Sequence, residues 1–163
     1  MKLLKKLIDL FAFILNLVNK LLVKLFNISF LGYFKEQLEK YCYLEKTILE
    51  KKLIFFCPNK LIEWRIKTFE DKEPETLDWI NRFSFEKKII FWDIGANIGL
   101  YSIYAALKSE NIDVIAFEPS TSNLRVLSRN ISINKLQNRI KIINQPLSDE
   151  KNNFSTFNES TFQ

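Results

Sequence analysis

Over residues 1–28, "MKLLKKLIDLFAFILNLVNKLLVKLFNI", polar and apolar positions separate with a helical period. At about 100° per residue, Lys2, Lys5, Lys6, Asp9, Asn16, Lys20, Lys24 and Asn27 fall in one sector roughly 100° wide. Leu3, Leu7, Leu10, Ile14, Leu17, Leu21, Leu25 and Ile28 take the other side, with Phe13 the main exception. This predicts a basic amphipathic helix as a first segment, residues 1–31. Residues 32–51 mix charged and apolar positions at helical spacing and predict a connector. Two β-branched and aromatic runs then flank Pro58-Asn59-Lys60, which predicts a hairpin around that tripeptide. In "EPETLDWINRF" Pro74 suits a first helical position and Glu73 and Glu75 suit a helix start, so a short helix is expected over 74–83. Connector, hairpin and short helix form a second segment, residues 32–87.

From residue 88 the pattern alternates strand and helix. Strands are expected at 88–93, 113–117 and 139–144, with a short one at 153–157, and helices at 99–107 and 121–133. Asn134 would close the second helix in a left-handed cap. A βαβαβ order calls for a parallel sheet with right-handed crossovers, hence a doubly wound α/β layer over a third segment, residues 88–163.

Composition narrows the chemistry. With 47% hydrophobic and 26% charged residues the chain is globular, and three Gly and four Pro among 163 residues imply few long loops. Histidine is absent, which removes the commonest general base and metal ligand, so no metal is expected. Cys42 and Cys57 make no Cys-x-x-Cys pair and suit reduced thiols in a cytoplasmic setting. Asn-x-Ser triplets begin at Asn27, Asn130, Asn153 and Asn158; in an Asn-rich chain these are expected by chance.

Charge is unevenly placed. Residues 1–28 carry five lysines and one acid, Asp9, so they hold +4 of the formal +5 and leave the rest nearly neutral. A basic stripe on the α/β segment would be needed for nucleic acid, and none is expected there. The longest charge-free run in the first helix, residues 10–19, is half of the roughly 20 residues that span a bilayer. Three uses of the helix remain: lying in a membrane interface with lysines toward anionic headgroups, packing its apolar face on this protein or a second copy, or serving as a signal peptide. Lys20 and Lys24, and the lack of a small-residue cleavage site, weigh against the last. A cytoplasmic protein, peripheral at the inner face of the membrane, follows from the first.

The residues richest in chemistry are "FWDIGANIGLYSIYAA", 91–106. The loop leaves a buried strand, opens a helix, and is followed 23 residues after Gly95 by Glu118, at the end of the next strand. An acid about 20 residues on is the one that grips ribose hydroxyls in nucleotide-binding βαβ units. Gly95 allows the tight turn, Gly99 lets the helix sit close to the strand, and the helix start offers N–H groups to an anion. The loop lacks full G-x-G-x-x-G spacing, and Asp93 would face any pyrophosphate with like charge. A ligand with a positive group fits better: S-adenosylmethionine has an ammonium for Asp93, a carboxylate for the helix start and a ribose diol for Glu118. A purely structural strand-turn-helix is the bland alternative.

"DIGANIGLYSIYAA", then "AFEPSTSNLRVLSRNISIN" and "PLSD", resembles the FkbM-type methyltransferases, whose pattern is an Asp-(Val/Ile)-Gly-Ala-Asn-(Ile/Val)-Gly loop and a Phe-Glu-Pro after the second strand. "EPETLDWI" is similar to the preceding segment in one branch of that family, and the likeness covers about residues 61–157. The resemblance implies a Rossmann-like class I methyltransferase sheet, S-adenosylmethionine as cofactor, and methyl transfer to an oxygen on a sugar, glycan or other small-molecule acceptor. It implies cofactor roles for Asp93, Gly95, Asn97, Gly99 and Glu118, and places residues 145–147, Leu147 among them, beside the adenine. The catalytic base stays unassigned; Glu73, Glu75 and Thr76 either stand at the mouth of the site or simply begin their helix.

The family sheet has seven strands, whereas three or four are expected here. The resemblance therefore implies a truncated copy without the acceptor-binding half, whose turnover alone is left open. Its first strand, "KKIIFW", would have a free edge unless the amino-terminal segments, a second copy or a partner chain cover it. Beside this reading stand a non-catalytic cofactor- or partner-binding module at a membrane surface, and a nicotinamide-dependent oxidoreductase fragment, which the loop spacing opposes.

Overall fold

The computed structural model describes residues 2–84 and 86–147, in two compact units, Met1–Cys42 and Tyr43 onward. The strand expected at 153–157 lies outside the described residues.

In the first unit, helix α1 (Lys2–Phe26) follows the amphipathic pattern and buries no residue. Asn27 at φ 56° ends it, its N–H donating to the Val23 carbonyl. Helix α2 (Leu31–Glu39) has no cap from its own preceding residue. Asn19 of α1 supplies one: its Oδ1 accepts from the backbone N–H of Phe30 at 2.9 Å and of Leu31 at 3.2 Å. Those are orphan donors of a helix start. The connector helix is thus much shorter than 32–51, because the chain turns extended after Cys42.

The second unit opens with an antiparallel hairpin, β1 (Tyr43–Ile48) and β2 (Lys51–Phe56), in register from Tyr43 opposite Phe56 to Ile48 opposite Lys51. This corrects the hairpin expected around Pro58-Asn59-Lys60. The turn is Leu49-Glu50, both at positive φ (47° and 63°), the twist-matched geometry of a two-residue loop without its usual Asn-Gly. Pro58 and Asn59 instead precede a helix, α3 (Lys60–Lys67), where Asn59 Oδ1 caps the Ile62 N–H at 3.0 Å. A short turn of helix, α4 (Phe69–Lys72), leads to α5 (Pro74–Asn81), with Pro74 at its first position as expected.

The α/β layer follows the expected order: β3 (Ile89–Ile94), α6 (Leu100–Lys108), β4 (Ile112–Phe117), α7 (Thr121–Ile133) and β5 (Ile140–Ile143). The strands are parallel in the order β3-β4-β5. Among the described residues β3 pairs only with β4. Phe91 and Asp93 of β3 are buried, whereas Ile90, Trp92 and Ile94 on the other face are more than half exposed. The left-handed residue after α7 is Lys135 (φ 58°), not Asn134 (φ −89°). Lys135 N–H bonds to the Ser132 carbonyl and Leu136 N–H to that of Ile131, a Schellman closure with buried Leu136 following it.

Asn134 is used otherwise. Its amide donates to the Ile54 carbonyl at 2.8 Å and accepts from the Ile54 N–H at 3.1 Å. One turn earlier Asn130, fully buried, accepts from the Phe56 N–H at 2.8 Å and donates to the Ile98 carbonyl at 2.9 Å. The two asparagines share a face of α7 at i, i+4 spacing and fasten β2 to it. Asn130 thereby also anchors the glycine loop, and the hairpin takes its place beside the site.

Candidate functional site

The loop 95–99 holds three left-handed residues in alternation: Gly95 (φ 78°), Asn97 (φ 55°) and Gly99 (φ 86°). This folds the chain tightly at the carboxyl end of β3. The N–H groups of Gly95 and Ala96 both donate to the Phe117 carbonyl at 2.9 Å, which fastens the loop to the end of β4. Gly95 has nothing within 4 Å of where a Cβ would stand, so its need is conformational. At Gly99 the need is also steric: a Cβ there would lie 2.5 Å from Leu127 Cδ1. Leu127 belongs to α7, so this glycine brings the start of α6 against α7, and the close approach expected against a strand is one between helices.

Glu118 is 4% exposed, and its carboxylate is held at both oxygens. Oε2 accepts from the Asn97 N–H at 2.7 Å and Oε1 from the Ser120 N–H at 2.8 Å. Ser120 in turn caps α7 through Asn123 N–H at 3.4 Å. The acid at the end of β4 and the loop after β3 are therefore one hydrogen-bonded unit, a link the 23-residue spacing, read as a ribose contact, did not anticipate.

Asp93 is 8% exposed and accepts from the hydroxyl of Ser102 in the first turn of α6. Burial pushes its carboxyl pKa up, hydrogen bonding to Ser102 opposes this, and the charges of Glu118 and Glu73 add to the rise. Its charge paired Asp93 with a ligand ammonium; the structure first gives it a partner in the helix that follows, Ser102 of α6.

Two cavities meet at Ile94 and Gly95. One, of about 320 Å³, is bounded by the loop and Asp93 and on its rim by Arg65, Lys72, Glu73, Thr76 and Tyr101. The other, of about 230 Å³, is lined by Phe117, Pro119, Gln145, Pro146 and Leu147, largely apolar surfaces. Of the three residues expected at the mouth, Glu73 and Thr76 line the larger cavity, and exposed Glu75 does not. Lys72 Nζ lies 3.3 Å from Glu73 Oε1. Burial, followed by the nearby Glu73 carboxylate, pushes the Tyr101 pKa up. Phe69 packs against the Tyr101 ring at 5.2 Å, fixing that wall.

Arg65 went unnoticed in the sequence because its segment read as a strand. It projects from α3 and donates through Nη1 to Asn97 Oδ1 at 2.5 Å, so the left-handed Asn97 is held by its side chain as well as by the bond from its backbone N–H to Glu118. Burial draws the Arg65 pKa down, and the Glu118 charge opposes that. Among the described residues no group of three or more His, Cys, Asp or Glu is placed to hold a metal ion.

The arrangement offers a charged cavity with cationic and anionic partners and an apolar slot that share Ile94 and Gly95, while the buried Glu118 carboxylate lines neither and reaches the site through the Asn97 N–H. No protein-family model matches the chain. Methyltransferase sdnD from Sordaria araneosa is 41% identical over 56 residues, which is 34% of this chain and 22% of that protein. The chain thus spans about a fifth of the length of that relative. Among solved structures, a precorrin-6Y C5,15-methyltransferase from Geobacter metallireducens is 22% identical with a TM-score of 0.39, over 45% of this chain and 37% of its own. An SAM-dependent methyltransferase from Agrobacterium tumefaciens is 10% identical with a TM-score of 0.46, over 63% of this chain and 32% of its own.

Proposed function

We propose that this chain binds S-adenosylmethionine across the Gly95 loop and serves methyl transfer of the FkbM type to an oxygen of a small-molecule acceptor, of sugar or glycan class. The observation that carries this is the junction of two unlike cavities at Ile94 and Gly95, with Glu118 at the adjoining strand end. A zwitterionic amino-acid end needs a cationic and an anionic partner, and the larger cavity presents Arg65, Lys72, Glu73 and Asp93. An adenine needs apolar walls, and Phe117, Pro119 and Leu147 provide them. Gly95 lets the backbone pass under the ligand where the cavities meet. The sdnD segment supports the reading at sequence level.

When bound, the donor supplies an electrophilic methyl on a sulfonium. The protein's part is to hold acceptor oxygen and methyl in line, which is worth orders of magnitude in rate. Glu118, fixed by Asn97 and Ser120, would accept from the ribose hydroxyls. Asp93 stiffens the loop through Ser102 and adds negative potential to the cavity. Glu73, paired with Lys72, contributes negative charge to the rim. This reading puts the acceptor-selecting elements, and a partner for the β3 edge, outside the described residues.

Calorimetric titration of the full chain with S-adenosylmethionine and, separately, NAD tests it. Binding of the first with a stoichiometry near one is expected. Binding of NAD alone would overturn the proposal.

A further inference from the structure

Helix α1 is not explained by any of this chemistry. It runs 25 residues, roughly 37 Å at 1.5 Å per residue, and not one of them is buried. Leu3, Leu7, Leu10, Ile14, Leu17, Leu21 and Leu25 are each about half exposed or more. Helix α2 shields only the flank where Leu15, Asn19 and Leu22 reach intermediate burial. We infer that α1 is a docking element for anionic lipid surfaces, lying in the plane of the headgroups; this is independent of the cofactor reading.

The width of the apolar arc selects the occupant. The polar sector takes about 100° of the wheel, so apolar side chains spread over roughly 220°. A second copy pairing through a coiled-coil seam covers only about two positions in seven and would leave most of that arc in water. A lipid interface covers all of it. Spanning is ruled out for this helix, since no described helix is long and apolar enough to cross a membrane. Charge completes the match: Lys5 lies at one margin of the polar sector, Lys6 and Lys24 at the other, Lys2 and Lys20 between them, and Asp9 is the lone acid. That is the distribution that meets negative headgroups while the apolar side sinks. Asn19, the one polar residue that falls within the apolar arc, has its carbonyl oxygen bonded to the first N–H groups of α2. It therefore brings no unpaired acceptor to the lipid side.

The test is co-sedimentation of the full chain with phosphatidylcholine vesicles holding either no anionic lipid or about a third phosphatidylglycerol, enough for a strong surface potential. Two variants accompany it: Lys5→Glu/Lys20→Glu/Lys24→Glu and Leu10→Gln/Leu17→Gln, all at exposed positions. The wild type should bind anionic vesicles at least tenfold more tightly than neutral ones, and less at high salt. The charge variant should lose that preference, and the leucine variant should lose binding to both. Failure to bind anionic vesicles, or equal binding to both compositions, would overturn the inference. A wild-type dimer in sedimentation velocity that Leu10→Gln/Leu17→Gln dissolves, without vesicle binding, would assign the face to a second copy instead.

Discussion

Replacing Asn130 with leucine should destabilise the second unit far more than any other single asparagine change on α7. The side chain is fully buried and serves two backbone groups from different elements, the Phe56 N–H of β2 and the Ile98 carbonyl of the glycine loop. Leucine keeps the volume, so little cavity is made, but both backbone groups lose their partner in a dry environment. An orphaned buried group costs about 1–3 kcal/mol, so the pair gives about 2–6 kcal/mol. For a chain of this length each kcal/mol lowers Tm by about 2–4 °C, so a drop of roughly 4–24 °C is expected. Asn134→Ala is the matched control. It too loses two bonds to β2, yet those are exposed and water can replace them, so its cost should stay near or below about 1 kcal/mol. Urea unfolding followed by tryptophan fluorescence measures both. If Asn130→Leu costs no more than Asn134→Ala, then Asn130 does not join hairpin, loop and α7 as described.

Other changes test the loop. Gly95→Ala should cost about 1–2 kcal/mol for a left-handed residue with a Cβ. Gly99→Ala should cost more, because it adds the 2.5 Å approach to Leu127 Cδ1; Leu127→Ala in the same chain should recover part of that excess, as a double-mutant cycle would show. For Asp93, whose folded pKa is raised, the native state holds the proton more tightly than the unfolded chain. Its contribution therefore weakens as pH rises through the folded pKa. The stability of Asp93→Asn relative to wild type should accordingly grow from about pH 4 upward and then level off, and a pH-independent difference would refute the raised pKa. Arg65→Ala should leave Asn97 Oδ1 without its guanidinium donor and lower the melting temperature measurably; no change in melting would show that Arg65 does not support the loop.

The α/β half was legible because its signals are local. In α7 the apolar face of Val126, Leu127 and Ile131 recurs at helical spacing, Pro119 and Ser120 mark its start, and the element matches the expectation residue for residue. The Glu118 spacing from the loop is likewise a sequence property, although its hydrogen bond to the Asn97 N–H was not read from it. The hairpin was not legible because β1 carries three consecutive polar residues, Glu45, Lys46 and Thr47, in place of strand alternation and so resembles a charged helix, while its turn, Leu49-Glu50, lacks the residues that normally tolerate positive φ. Asn130, Asn134 and Arg65 act on groups 30 or more residues away, and no periodicity announces such partners. Ser102 could have been noticed: it lies in the first turn of the helix after Asp93, where a carboxylate beside a helix start finds donors.

The central claim is that the Gly95 junction and Glu118 hold an adenosyl amino acid. Its most direct test is calorimetric titration of S-adenosylhomocysteine into wild type and Glu118→Gln, with melting curves to verify that both are folded. A complex that Glu118→Gln weakens at least tenfold is expected, since a charged hydrogen-bond acceptor contributes about 1.5–3 kcal/mol. No binding by the folded wild type, or equal affinity in the two proteins, would contradict the account.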